Sequence, residues 1–221
     1  MVNDSIFIKK GVELEIEVQS LAYGGMGLAK VDDFVVFVKN GIPGQRVLVL
    51  IYKKKKGFAE ARVIEVLKQS PLAAEARCDH YWICSKLQTL SYEEQLKEKE
   101  KQVVDAFQRI GGFTDFTING VRSAENKYNY RNKMEFTFSP HRWILESEPE
   151  GVDSSFALGL HIPGRYDKIL DINTCHIQPD IGNKILGIAR EVCLKNLDLK
   201  PYDPKTNIGF LRYLMLRFGV K

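Results

Sequence analysis

"VELEIEVQSLAYGGMGLAKVDDFVVFVKN", residues 12–40, decides how the first third of the chain is read. Val12, Leu14, Ile16 and Val18 alternate with Glu13, Glu15, Glu17 and Gln19, the period of a half-buried strand. Gly24, Gly25 and Gly27 then allow a turn or bulge that side chains would obstruct. "DFVVFVKN" reads as a short apolar strand, closed by the turn signals Asn40-Gly41 and Pro43-Gly44. Downstream, "RVLVLIYKKKKGFAEARVIEVL" (46–67) reads as two further strands around a lysine-rich loop. Four or five strands in about 60 residues without a helix point to a small OB-type barrel. "KQSPLAAEARC" (68–78) reads as a linker.

The remainder mixes helix and strand, so the expected class is α+β: a five-stranded OB-like barrel over residues 1–70, then an α+β domain over 71–221. Ser91 with Glu94 is a capping-box pattern, and Leu96, Val103, Phe107 and Ile110 share one face of the helix that follows. Gly111-Gly112 ends it. In "YRNKMEFTFSP" (130–140), Asn132, Met134, Phe136 and Phe138 alternate with Arg131, Lys133, Glu135 and Thr137. "FALGLHIPG" and "YDKILDI" read as two more strands. A second helix begins near Pro179, with Ile181, Ile185, Ile188 and Val192 as its expected buried stripe. The chain closes on the apolar run "IGFLRYLMLRFGVK" (208–221), which stops without turn or cap and reads as cut.

Bulk properties narrow the function classes. The 221 residues carry a net charge of only +4, with eleven Lys/Arg against eight Asp/Glu in residues 1–70. The basic excess therefore lies mainly in the barrel, where an anionic partner would meet it. No stretch approaches the ~18–20 apolar residues of a membrane span, so the expected setting is cytoplasmic and without a membrane partner. Four unevenly spaced cysteines do not form a disulfide framework. No Ser/His/Asp set, paired acids or strand-to-helix nucleotide loop is recognisable.

Binding signals remain. Lys53, Lys54, Lys55 and Lys56 sit on an expected hairpin, where mobile cations reach phosphates. Arg131 and Lys133 share the charged face of a strand, with Tyr128 and Tyr130 nearby to stack a base. Arg165 joins them as a candidate RNA contact. In "CDHYWICSKLQTLSYEEQ" (78–95), Cys78 and Cys84 could act with Cys175 as cluster ligands, or as zinc ligands with His80 or His176. They could equally be thiols without metal. Cys193, mid-helix, is assigned to packing.

Taken together, "GGMGLAK…FVVFVKNGIPGQRV…FAEARVIEVLKQSP", "C-x5-C…QTLSYEEQLKEKEKQV", "YRNKMEFTF", "GLHIPGRYDKILDINTCHIQ" and "GFLRYLMLRFG" resemble the N-terminal half of the S-adenosylmethionine-dependent RNA uracil-5-methyltransferases of the RumA/TrmA group. The resemblance implies a TRAM barrel that binds RNA, and a central domain that holds a four-iron cluster and grips RNA. Cys78, Cys84 and Cys175 match three cluster ligands, but Ser85 replaces a glycine and Leu87 the remaining ligand. That departure implies a vestigial loop whose iron–sulfur cluster is lost. The resemblance further implies that the Rossmann-like catalytic domain, with its S-adenosylmethionine site, is missing from this chain and would follow in the same polypeptide, so that this fragment alone would be inactive. Ribosomal RNA (23S) is the expected substrate, with tRNA as the alternative. A stand-alone RNA-binding adaptor is the rival reading, and a metal-dependent redox or sensor protein a third.

Overall fold

The computed structural model describes residues 8–145, 147–196 and 198–219. Expectations for residues 1–7, 220 and 221 lie outside the described residues. The chain divides into two compact units, residues 1–123 and 124–221.

The first unit is built on six strands: β1 (Glu13–Glu17), β2 (Ser20–Leu21), β3 (Gly27–Val31), β4 (Phe34–Lys39), β5 (Arg46–Lys54) and β6 (Phe58–Lys68). Their order in the sheet is β1-β5-β6-β4-β3-β2, and β4 runs parallel to β6 while the other pairs are antiparallel. The expected five-stranded OB-like barrel is thus corrected to a six-stranded mixed sheet. The physical reason is a change of partner within one extended segment. Val18 N donates to Gln45 O at 2.9 Å on the β5 side, whereas Gln19 N donates to Leu28 O at 2.8 Å on the β3 side. The "VELEIEVQSL" stretch therefore splits into β1 and β2 at opposite edges of the sheet, and curls it around its apolar face. Val18, Ala29, Val36, Val38, Val47, Val49, Ile51, Ala59 and Ala61 are fully buried there. A side chain on Gly27 would stand 2.8 Å from Val18 Cγ1 and 2.9 Å from Gly41 O, so this glycine serves close packing.

Beyond the sheet come the one-turn helix α1 (Tyr81–Cys84), a 3₁₀ turn (Lys86–Thr89) and α2 (Tyr92–Asp105). Ser91 caps α2 by accepting from Glu94 N at 3.4 Å, while the Glu94 carboxylate pairs with Lys97 instead of reaching back. The expected apolar stripe on α2 is not buried: Val103 and Phe107 are about half exposed and Ile110 is 88% exposed. After Asp105 the helix continues as a π turn, Ala106–Ile110, with Gly111 N bonded to Ala106 O at 3.0 Å. Hydrogen bonds reaching five residues back re-aim Phe107 and Ile110. Phe107 packs instead on Phe113 and Phe116, at ring distances of 5.7 and 5.3 Å.

The second unit holds a four-stranded antiparallel sheet in the order β10-β7-β8-β9, from β7 (Lys133–Ser139), β8 (Ala157–Ile162), β9 (Arg165–Asp171) and β10 (Tyr213–Arg217). Met134, Phe136 and Phe138 are buried, as their alternation predicts. Helix α3 (Asp180–Lys195) buries Gly182, Leu186 and Cys193, while Ile181, Ile188 and Val192 are exposed. The expected stripe is turned mostly to solvent, with Ile185 half-buried, because polar anchors choose the face. Asn183 is hydrogen-bonded to both N and O of Cys175, and Arg190 donates to Asp171 and to the carbonyls of Leu158 and Ile172.

Two glycines in this unit should respond with opposite signs. On β8, a Cβ at Gly159 would lie 1.9 Å from Leu170 O, so Gly159→Ala is expected to cost about 3 kcal/mol or more. At Gly187, inside α3, nothing stands within 4 Å, and Gly187→Ala is expected to stabilise by about 0.5–1 kcal/mol. Urea melts of both variants check the pair.

Candidate nucleic-acid interface

The lysine run lies on the β5–β6 hairpin, whose turn is closed by Lys55 N donating to Phe58 O at 2.8 Å. All four lysines are exposed, but they are not equivalent. Lys53 donates to Glu60 at 2.5 Å, and Tyr52 donates to the other oxygen of the same carboxylate at 3.1 Å. The Lys53 bond holds the Glu60 carboxyl below its usual range. Burial, followed by the bond to Glu60, pushes the Tyr52 phenol up to about 12. Lys54 Nζ stands 5.9 Å from the Phe34 ring. Lys55 and Lys56 project at the tip.

In the second unit, the exposed face of β7 carries Lys133, and the register sets Arg217 of β10 directly opposite. Arg131, just before β7, donates through Nε to Lys133 O at 3.1 Å. Its backbone is held by Ile177, and Asn129 N donates to His176 O, so the "YRNK" and "CHIQ" stretches pair through their main chains. Arg217 was missed by the sequence reading, although the alternation in "RYLMLR" puts it on the same face as Tyr213 and Met215. Arg165 lies at the start of β9 with its guanidinium 5.9 Å from the Trp143 ring, and Lys168 Nζ is 5.9 Å from the same ring. Trp143 and Lys168 also escaped the sequence reading, because their meeting depends on the bridge between Arg142 and Ile169.

The three candidate cluster cysteines differ in setting. Cys78 and Cys84 lie in the first unit, half-buried and exposed respectively, and Cys175 is buried in the second. Leu87 faces the glycine turn: a Cβ on Gly25 would meet Leu87 Cδ2 at 3.4 Å. The Gln88 side chain lies 3.7 Å from Cys78 Sγ and accepts from Arg77 N at 2.7 Å. Among the described residues, no group of three or more His, Cys, Asp or Glu side chains could hold a metal. The glycine stretch itself joins β2 to β3 with Gly24 and Gly25 at φ +87° and +81°. That is a strand-to-strand turn and does not fit a nucleotide cofactor. No helix among the described residues is long and apolar enough to cross a membrane.

Comparison with known proteins adds the family context. Residues 9–64 match the TRAM domain. The TRAM match covers β1 to β5, the lysine hairpin and the first seven residues of β6. Over 91% of its length the chain is 37% identical to an uncharacterised RNA methyltransferase of Porphyromonas gingivalis, and over 96% it is 37% identical to one of Chlorobaculum tepidum. It spans about 45% of the length of each of these relatives. Its fold, over 93% of the chain, is similar to 42% of a tRNA (uracil-54, C5)-methyltransferase of Pyrococcus abyssi in complex with S-adenosyl-L-homocysteine, with a TM-score of 0.60 and 21% identity. These matches overturn the expected fold class, which set the chain apart from a missing methyltransferase part. Similarity to RNA methyltransferases instead runs through nine-tenths of the chain itself, across both mixed units.

Two outcomes follow from the site geometry. Lys55→Ala with Lys56→Ala is expected to make the salt dependence of RNA binding shallower, by about 1.4 in log–log slope for two lost single-strand contacts. Lys53→Ala, already committed to Glu60, should change it less; anisotropy titrations over salt measure both. Anaerobically purified protein is expected to lack stoichiometric iron and the ~400 nm absorbance of a cluster, as metal analysis and spectroscopy would read.

Proposed function

We propose that this chain supplies the RNA-holding surface of an S-adenosylmethionine-dependent RNA uracil-5-methyltransferase. The observation that carries the reading is the coincidence of the TRAM match with a sheet that projects Lys55 and Lys56, inside a chain similar to RNA methyltransferases over nine-tenths of its length. The likeness of fold to a uracil-C5 enzyme supports the choice of base. On this reading residues 1–70 act as the TRAM-type RNA-binding part and residues 71–221 as the central RNA-gripping part, in the cytoplasm. Lys53, Lys54, Lys55, Lys56, Arg131, Lys133 and Arg165 are assigned to RNA contact. S-adenosylmethionine is the methyl donor this reading implies for the whole protein, and none of the residues described above is assigned to it. Ribosomal RNA of the large subunit is the proposed substrate.

Cells with and without the gene separate the alternatives when 5-methyluridine is quantified by mass spectrometry in each RNA fraction. Loss of the modified nucleoside from 23S rRNA is the expected outcome. Loss from tRNA alone would transfer the substrate to tRNA. Unchanged 5-methyluridine in every fraction, with RNA binding retained by the purified chain, would favour the adaptor reading.

A further inference from the structure

The second unit holds a groove of about 480 Å³ that none of the contacts above uses. Its size falls within the ~300–1,000 Å³ of small-ligand pockets. Thr137, His161, Tyr166, Tyr202, Arg212 and Tyr213 line it. The Arg212 guanidinium lies 3.7 Å from the centre of the Tyr202 ring, a flat cation on a flat phenol. Both partners are held in place. Tyr202 OH donates to Asn207 Oδ1 at 2.6 Å and Tyr202 N to Leu211 O at 2.8 Å, while Arg212 O accepts from Phe138 N at 2.9 Å. The arm between them is closed by Asp203, which accepts from Lys205 N and Thr206 Oγ1.

Around this platform, two large aromatic rings stand in water: Tyr213 is 56% and Tyr166 83% exposed. Thr137 Oγ1 and His161 Nε2, 3.0 Å apart, supply a polar edge between them. The groove also contains a carboxylate, Asp167, close to Lys168. A carboxylate repels a phosphate but accepts from an exocyclic amine. Stacking faces with mixed polar edges suit a base, whereas a phosphate backbone calls for cations throughout.

We infer that this groove takes an unstacked nucleobase of single-stranded RNA, stacked against the tyrosines and the Tyr202–Arg212 platform. The inference rests on the RNA reading above and adds to it a contact with a base in place of a phosphate. An amino-bearing base is favoured over uracil by Asp167.

The test uses the whole chain and end-labelled ten-nucleotide oligoadenylate and oligouridylate, titrated by anisotropy between about 50 and 200 mM salt. Tyr213→Leu and Tyr166→Leu are each expected to weaken oligoadenylate binding about five- to hundredfold, with the salt slope unchanged. Tyr213→Phe, which keeps the ring, should stay within about twofold of wild type. Tyr166, so exposed, guards against a folding artefact at the strand residue Tyr213. Unchanged affinity in both leucine variants overturns the groove while leaving the RNA reading standing. A loss accompanied by a shallower salt slope overturns base stacking, because a phosphate contact was removed. Failure of the wild-type chain to bind either oligonucleotide overturns both readings.

Discussion

One guanidinium sets the geometry of the second unit. Arg190 sits on α3 at 15% side-chain exposure, and its Nη2 bonds Asp171 Oδ1 at 2.7 Å and the carbonyls of Leu158 and Ile172. Asp171 Oδ1 also accepts from Leu158 N at 2.8 Å, so the carboxylate ties the ends of β8 and β9 while it meets the arginine. Three acceptors converge on the one Nη2, while the buried Nε has no hydrogen-bond partner among the described residues, and this convergence suits one rotation of the helix about its axis. With Arg190 and Asn183 facing inward, Gly182 must face inward too. A Cβ there would stand 2.8 Å from the Phe218 ring, so glycine allows the close approach.

The rotation of α3 leaves one face of the sheet covered and the other open. Met134, Phe136, Phe138 and Leu216 are buried, and strand alternation turns Lys133, Thr137, Tyr213 and Arg217 the opposite way. Cations occupy one end of that open face and the aromatic groove the other. The first unit presents its exposed lysines by a different constraint. There the sheet curls because one segment changes partner at Val18 and Gln19, and the long β5–β6 hairpin extends beyond the core, with Lys55 and Lys56 at its turn.

Period-2 alternation made β1 and β7 legible from residues alone, because a strand with one buried face has little freedom in which side chains it hides. The stripe on α3 was not legible. Ile181, Ile188 and Val192 obey helical spacing, yet Arg190 and Asn183 outweigh them, and their partners Asp171 and Cys175 lie 19 and 8 residues away in the chain. The lysine run was legible as a hairpin, but the commitment of Lys53 to Glu60 was hidden. It depends on a register shift between Ile51 and Lys53 that sets Lys53 opposite Glu60. In the cysteine loop, the leucine at position 87 could be read directly, whereas the approach of Gln88 to Cys78 depends on how the loop folds. The Tyr202–Arg212 stack joins residues ten apart across an irregular arm, which no periodic pattern announces.

A chain with a net charge of +4 gains little RNA affinity from its overall field. Screening over about 8–10 Å at physiological salt confines each cation to its neighbourhood. Affinity must therefore come from local groups of positive charge with no acid in contact, and from interactions that salt does not weaken. The hairpin tip meets the first requirement only because Glu60 is already occupied by Lys53 and Tyr52, which leaves Lys55 and Lys56 ahead of the acid rather than paired with it. The tyrosine groove would meet the second through the stacking proposed for it, since stacking on a π-face carries no counterion term. On the proposed RNA reading, a nearly neutral chain needs both kinds of contact. Polyelectrolyte attraction alone would serve a protein far more basic than this one.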